Sequence, residues 1–310
     1  MNVLITGGAG FIGSHIVDEL LAHGEKVIII DDLSSGSLAN LPTDFNNNEN
    51  IKFYQKDILN DDLTEIFETE KPEYCIHLAA QTSVIKSIEN PTYDARMNII
   101  ATVKLLELCK KYCIKKVIVA SSAAVYGMPK YLPVDETHPT EPISYYGLSK
   151  LTLEKYVQRC GLSHVVFRFS NVYGPRQASS KESGVVAIFN NNMLKNEPIN
   201  IYGDGNQVRD FIYVKDIAQI CYLALQRDDI ANIVVNYSSN KGITINELFY
   251  LMKEIYGYEQ DANYLPARAG DIRDSILQNQ KAVKLFSSYE LTEIKNGIIQ
   301  LKNSFSTPKE

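Results

Sequence analysis

Cysteine is scarce: the 310 residues hold only five, Cys75, Cys109, Cys113, Cys160 and Cys221. An odd number with no C-x-x-C pair argues against a disulfide framework, and their mostly apolar surroundings read as buried thiols in a reducing compartment. No metal site is expected. No apolar run approaches the length of a membrane span, and no basic segment with an apolar core precedes the first apolar run, so a cytoplasmic protein without membrane contact is expected. The formal net charge is -6 and no basic run exceeds a few residues, which argues against nucleic-acid partners. Any anionic ligand must be caught by local groups. Internal repeats and low-complexity linkers are also missing.

What the chain does have is a rhythm. Apolar runs at Asn2 to Ile5, Lys26 to Ile30, Ile51 to Gln55, Tyr74 to Leu78, Lys116 to Ala120 and His164 to Phe169 read as strands. Helical patterns lie between most of them, at Phe11 to His23, Leu59 to Thr69, Thr92 to Tyr112 and Ser144 to Cys160. Strands alternating with helices imply an α/β fold, a doubly wound parallel sheet of Rossmann type. Beyond Asn171 the rhythm breaks into Gly, Pro, Asn and Asp clusters. A division follows: residues 1–170 as a dinucleotide-binding domain and 171–310 as a smaller substrate-binding lobe, with an approximate boundary across which the chain could pass more than once.

The first strand runs into Thr6-Gly7-Gly8-Ala9-Gly10-Phe11-Ile12-Gly13. In this spacing Gly7 serves the tight turn, Gly10 lets backbone approach a pyrophosphate, and Gly13 lets the helix pack on the strand. The helix amino terminus supplies the positive potential. The second strand ends in Asp31-Asp32, at the distance where a carboxylate meets the adenosine ribose. Asp31 would accept from both ribose hydroxyls and repel a 2′-phosphate. No arginine follows in Leu33-Ser34-Ser35-Gly36, so NAD is favoured over NADP.

Tyr146-Gly147-Leu148-Ser149-Lys150 puts a tyrosine and a lysine at i and i+4, on one helix face. A phenol titrating at about 10 is a poor base at neutral pH, and an ammonium one turn away, with the positive nicotinamide, would lower that value. Lys150 could also hold the nicotinamide ribose. Ser122, in Ala120-Ser121-Ser122-Ala123-Ala124, follows a strand end where ligands bind in open parallel sheets. It would hydrogen-bond the reacting oxygen beside Tyr146, with Ser121 a structural hydroxyl; a one-residue slip would exchange the two.

These stretches, with Asp57-Ile58, His77-Leu78-Ala79-Ala80, Asn98, Arg168 to Arg176 and Val208-Arg209-Asp210-Phe211-Ile212, resemble the extended short-chain dehydrogenase/reductase family and its nucleotide-sugar 4-epimerases, the UDP-glucose 4-epimerase group. The resemblance implies that Phe11 and Ile12 line the pyrophosphate turn, that Asp57 and Ile58 contact adenine, and that Leu78, Ala79, Ala80 and Asn98 line the cofactor channel. For the apolar members the other reading is plain core packing. In the second lobe it implies a pyrophosphate contact for Asn171, phosphate contacts for Arg209 and Arg268, a ribose-binding carboxylate in Asp271, and Ser275 beside the C2 substituent of the sugar.

Dehydratases and decarboxylases of this family usually carry an acidic residue after the serine or threonine, where this chain has Ala123 and Ala124. The resemblance therefore implies C4 epimerisation of a UDP-hexose through a 4-keto intermediate, UDP-glucose/UDP-galactose and the N-acetylhexosamine pair being the candidate substrates. It also implies a homodimer built on the two long helices. The alternatives are a 4,6-dehydratase, a UDP-glucuronate decarboxylase or epimerase, and an NAD-loaded regulatory protein without turnover. Two departures bear on the substrate: Thr82 stands where one subgroup has lysine, and the end of the chain lacks the tryptophan and proline pattern common after Asn279-Gln280-Lys281-Ala282.

Overall fold

The computed structural model describes residues 1–178, 184–267, 272–286 and 290–305. They divide into two compact units, the first of Met1–Gly127, Pro139–Arg168 and Ile217–Val235, the second of Met128–His138, Phe169–Asp216 and Asn236–Glu310.

The first unit carries a seven-stranded sheet. Its order is Ile233–Tyr237, His164–Phe169, Lys116–Ser122, Tyr74–His77, Asn2–Thr6, Lys26–Asp31, Ile51–Gln55. From Lys116–Ser122 to Ile51–Gln55 every neighbouring pair is parallel. The central strands are apolar on both faces because both are covered: Val3, Leu4 and Ile5 are all fully buried. On one face Leu4, Ile28, Cys75, Val117 and Val119 pack with Phe67, Leu105, Cys109, Leu153 and Val157 from the helices Thr64–Glu70, Ala101–Lys111 and Tyr145–Arg159.

Two expected helices differ in an instructive way. The helix expected from Leu59 begins only at Thr64. The carboxylates of Asp57 and Asp62 accept from the backbone of Leu59 (2.8 Å) and Thr64 (2.9 Å), so local side-chain bonds win the first turns. The helix expected over Thr92 to Tyr112 starts at Pro91, capped by Asn90, and is interrupted by a π turn at Arg96–Ile100 before continuing as Ala101–Lys111. The turn holds Asn98, and π turns recur at functional sites. A short helix at Val84–Glu89, capped by Ser83, was not foreseen.

In the second unit, the strand Val208–Tyr213 pairs with Asn171–Tyr173 through its second half and with Gly242–Thr244 and Asp274–Ser275 through its first. Asn200–Tyr202 and Asn263–Leu265 form a separate parallel pair. Tyr173, Phe189, Phe211, Leu248, Phe249 and Leu301 close a core with the helices Val185–Leu194, Ile245–Tyr256 and Ile294–Asn303. Met128–His138 is tied into this unit by Val134, whose amide donates to Ile276 and whose carbonyl accepts from Gln278, both at 2.8 Å.

Candidate functional site

The glycine turn is built as its spacing implies. Gly7 has a φ of 74°, and a Cβ there would lie 2.8 Å from the Ala79 amide nitrogen. A Cβ on Gly10 would meet the Gly7 carbonyl at 3.1 Å, and on Gly13 it would collide with that same carbonyl. The helix Phe11–Ala22 starts at Gly10 with no capping side chain and no acid in its first turn. Its leading amides, those of Phe11, Ile12 and Gly13, are thus left to an anion from outside. A bare backbone cradle of this kind fits a dinucleotide pyrophosphate.

Asp31 closes the strand Lys26–Asp31 and is 7% exposed. Its carboxylate accepts from the Ala9 and Leu33 amides, both at 2.9 Å. Burial, the largest influence, raises its pKa above the ordinary value despite those bonds. Asp31 therefore also braces the glycine turn. Asp32 accepts from the amide and hydroxyl of Ser34. Asp57 turns the chain, whereas Ile58 is 4% exposed within the apolar core. Leu78, Ala79 and Ala80 are half-buried just beyond the strand Tyr74–His77, and the Leu78 and Ala79 amides both donate to the Thr6 carbonyl at 3.1 Å.

Ser122, Tyr146 and Lys150 come together at the end of the strand Lys116–Ser122. Ser122 and Tyr146 share a side-chain hydrogen bond, and Lys150 Nζ donates to the Ala120 carbonyl at 3.0 Å. Burial pushes the Lys150 pKa down to about 8, against the opposing charges of Asp94 and Glu154. Burial also raises the Tyr146 pKa, Ser122 partly offsetting it and Asp94 adding to it. Without a cofactor, desolvation dominates the phenol; the lowering expected from Lys150 together with the positive nicotinamide would come with the charge of the bound cofactor. Ser121 is the structural hydroxyl, donating to Glu154 Oε1 at 2.5 Å. Glu154 in turn pairs with Arg168 through two bonds of 2.9 and 2.6 Å, and Arg168 reaches the Tyr126 hydroxyl at 2.9 Å.

Asn98 is fully buried. Its Oδ1 accepts from the Gln81 amide, and its Nδ2 reaches the Gln81 carbonyl, Asp94 Oδ1 and Ser149 Oγ at 2.9, 3.1 and 3.0 Å. His77 is clamped between the hydroxyls of Thr6 (2.7 Å) and Thr102 (2.9 Å). Burial, then the Lys150 charge, pushes its pKa down to about 3, so it is neutral. Sequence reasoning did not single out Asp94 or Ser149. The signal was available: Asp94 stands four residues before Asn98 and Ser149 one before Lys150, each an uncharacteristic polar residue on an inward helix face.

In the second unit, Asn171 donates to the Asp210 carbonyl at 3.1 Å. Arg209 Nη1 donates to the carbonyls of Val208 (2.9 Å) and Arg273 (3.1 Å). Ser275 pairs with Arg209 across the two strands and is half-buried. Asp210 is the hub of this region, taking bonds from Ser239 and Leu277. Arg268 and Asp271 lie outside the described residues.

Residues 3–236 match the family described as NAD dependent epimerase/dehydratase. The chain belongs to that family. It is similar to the UDP-glucose 4-epimerase of Thermotoga maritima solved with UDP-glucose, at 42% identity, TM-score 0.92 and 99% of each chain covered. A UDP-N-acetylglucosamine 4-epimerase from Methanobrevibacter ruminantium, in complex with UDP-N-acetylmuramic acid, is 38% identical with TM-score 0.92 over 98% of each chain. The Thermus thermophilus UDP-glucose 4-epimerase complex with NAD is 36% identical with TM-score 0.89 over 99% of each. The extended short-chain dehydrogenase/reductase resemblance and the Rossmann-type α/β fold are thereby established.

Proposed function

We propose that the protein is an NAD-dependent nucleotide-sugar 4-epimerase acting on a UDP-hexose. The observation that carries this is Tyr146 bonded to Ser122 with Lys150 on the same helix face, at the edge of a sheet whose glycine turn fits a pyrophosphate. Gly7, Gly10, Phe11, Ile12 and Gly13 would hold the pyrophosphate of NAD, Asp31 its adenosine ribose, and Lys150 its nicotinamide ribose. Bound NAD supplies a reversible hydride acceptor for C4 of the sugar.

The chain's own groups handle the proton and the orientation. Tyr146 takes the proton from the C4 hydroxyl and returns it after the 4-keto sugar has turned. Ser122 donates to the same oxygen and fixes its position. Ala123 and Ala124 offer no second acid or base, so oxidation at C4 has no outlet through C5 or C6 and is reversed. Arg209, Arg268 and Asn171 would meet the diphosphate, Asp271 the uridine ribose, and Ser275 the C2 side of the hexose. Relatives named for both UDP-glucose and UDP-N-acetylglucosamine support trying both pairs.

A homodimer is part of this reading. Ile100, Tyr145, Leu148 and Tyr156, on the two long helices, are each about half exposed, as are Val84, Ile85 and Ile88 on the short helix Val84–Glu89. Faces this apolar are commonly covered by a second copy. Among the described residues no helix is long and apolar enough to cross a membrane. Five free thiols suit the cytoplasm. The deciding experiment incubates the protein with UDP-glucose and UDP-N-acetylglucosamine separately and resolves the products by proton NMR. Formation of the C4 epimers is expected, and conversion of neither sugar nucleotide would overturn the reading.

A further inference from the structure

Asp94 is 1% exposed. Its Oδ1 accepts from Gln81 Nε2 at 2.8 Å and Asn98 Nδ2 at 3.1 Å. From there the chain of bonds continues: Asn98 Nδ2 reaches Ser149 Oγ at 3.0 Å, and Ser149 Oγ donates to the Tyr146 carbonyl at 3.0 Å. Asn98 Nδ2 has two hydrogens and three acceptors, so the bonds are shared rather than independent. Gln81 closes the other end. Its side-chain oxygen accepts from the Ser83 amide and its nitrogen donates to the Ser83 carbonyl. One buried carboxylate thus anchors a polar chain from the Gln81 turn, through the π turn, to the turn of helix carrying Tyr146 and Lys150.

A cheaper design would hold that helix with neutral amides alone. A buried carboxylate costs desolvation, and what it adds over an asparagine is a fixed negative charge in a low-dielectric interior. We infer that Asp94 is a positioning residue of the epimerase site, holding the Gln81–Asn98–Ser149 chain in place and setting with its charge the pH range in which Tyr146 and Lys150 work. The inference rests on the proposed function. Asp94 acts on both groups in the same sense: its charge disfavours the Tyr146 phenolate and favours the Lys150 ammonium. Among the described residues, the other ionisable groups that act on this pair are His77 on its strand, neutral and hydrogen-bonded, and Glu154 one turn beyond Lys150, which is paired with Arg168 and also favours the Lys150 ammonium. Asp94 is the carboxylate that acts on both Tyr146 and Lys150.

The test compares Asp94→Asn with Ser149→Ala. Asparagine keeps the acceptor oxygen and removes the charge, so both Tyr146 and Lys150 titrate at lower pH. Both limbs of the kcat–pH profile move toward acid together, by on the order of one pH unit. Ser149→Ala breaks the link to the helix but keeps the charge; it lowers kcat severalfold with the limbs where they were. A merely structural Asp94 would lower kcat in both variants without moving either limb, and that result overturns the inference.

A second readout needs no turnover. With Lys150 pushed down to about 8 from an ordinary 10.5, the unfolded chain binds more protons between those values, and stability from this group rises with pH across that window. In Asp94→Asn the rise begins below pH 8, so the Tm difference between the variant and the parent protein changes between about pH 7 and 8. A constant difference there overturns the inference by itself. Absence of epimerase activity in the parent protein removes the proposed function and leaves this thermal comparison to decide Asp94.

Discussion

Lys150 reaches from its helix to the carbonyl of Ala120, 3.0 Å away, two residues before Ser122 on the catalytic strand. The bond pins the ammonium at the strand end and fixes the helix face that presents Tyr146. Because burial pushes the Lys150 pKa down to about 8, raising the pH through that value removes its charge. The apparent kcat is therefore expected to fall above about pH 8. Lys150→Met should lower kcat by about 10²- to 10⁴-fold and abolish that alkaline fall; a pH–rate profile of both proteins checks it.

Tyr146→Phe removes the proton acceptor and the bond with Ser122 while leaving the glycine turn untouched. Turnover should drop by about 10²- to 10⁴-fold with NAD still bound. Dinucleotide released on denaturation, measured against protein, separates loss of chemistry from loss of cofactor. Near-parental turnover would remove Tyr146 from the reaction.

Asp31 carries two duties that its variants can part. Asp31→Ala takes the acceptor from the Ala9 and Leu33 amides as well as from a ribose, so NAD retention should fall and stability without cofactor should drop by about 1–3 kcal/mol. Asp31→Asn keeps one acceptor oxygen. Because the Ala9 and Leu33 amides donate to different oxygens, its NH2 faces one of them, so it should recover only part of the stability and little of the cofactor content, read from thermal melts and bound NAD on the same samples.

The Glu154–Arg168 pair is almost fully enclosed, with side chains 0% and 6% exposed. Glu154→Ala strands a buried guanidinium and should cost about 3–5 kcal/mol in chemical denaturation. The double variant Glu154→Met with Arg168→Leu should recover much of that loss, because an apolar pair of similar volume leaves no unpaired charge. Equal losses in single and double variants would contradict this account.

Ser275 is small, and the strand register places it opposite Arg209. Ser275→Tyr should selectively reduce activity on UDP-N-acetylglucosamine relative to UDP-glucose, the overlap amounting to about 1–3 kcal/mol. Measuring both substrates with both proteins decides it. An unchanged preference ratio would take Ser275 out of the sugar pocket.

The first unit was legible because its strands are apolar on both faces and short glycine and polar turns separate them. Ile51–Gln55 and His164–Phe169 stand at the expected limits, and Asn2–Thr6 and Tyr74–His77 differ by a residue. Tyr146 and Lys150 were visible because helical spacing alone puts them on one face. Their supports were not. Asp94, Asn98 and Ser149 meet only after strands and helices have packed, and a hydrogen bond spanning 51 residues of sequence leaves no local pattern. Nor could spacing show that Asp57 and Asp62 would hold their own turns open instead of starting a helix. In the second unit, strands of two or three residues such as Asp274–Ser275 fall below the length at which alternation can be seen.

The interleaving of the two units sets a schedule for synthesis. The chain leaves the first unit at Met128, rejoins it at Pro139, leaves again at Phe169, and comes back with Ile217 to supply the sheet with Ile233–Tyr237. Until that strand has emerged from the ribosome, His164–Phe169 is an open edge, with unpaired amides and carbonyls beside Val165, Val166 and Phe167. A nascent chain stalled between residues 170 and 232 should therefore be the form most in need of a chaperone. For the same reason no single cut in the gene yields either unit as one piece: a fragment ending at residue 170 carries the glycine turn, Ser122, Tyr146 and Lys150 on a sheet that still lacks its last strand.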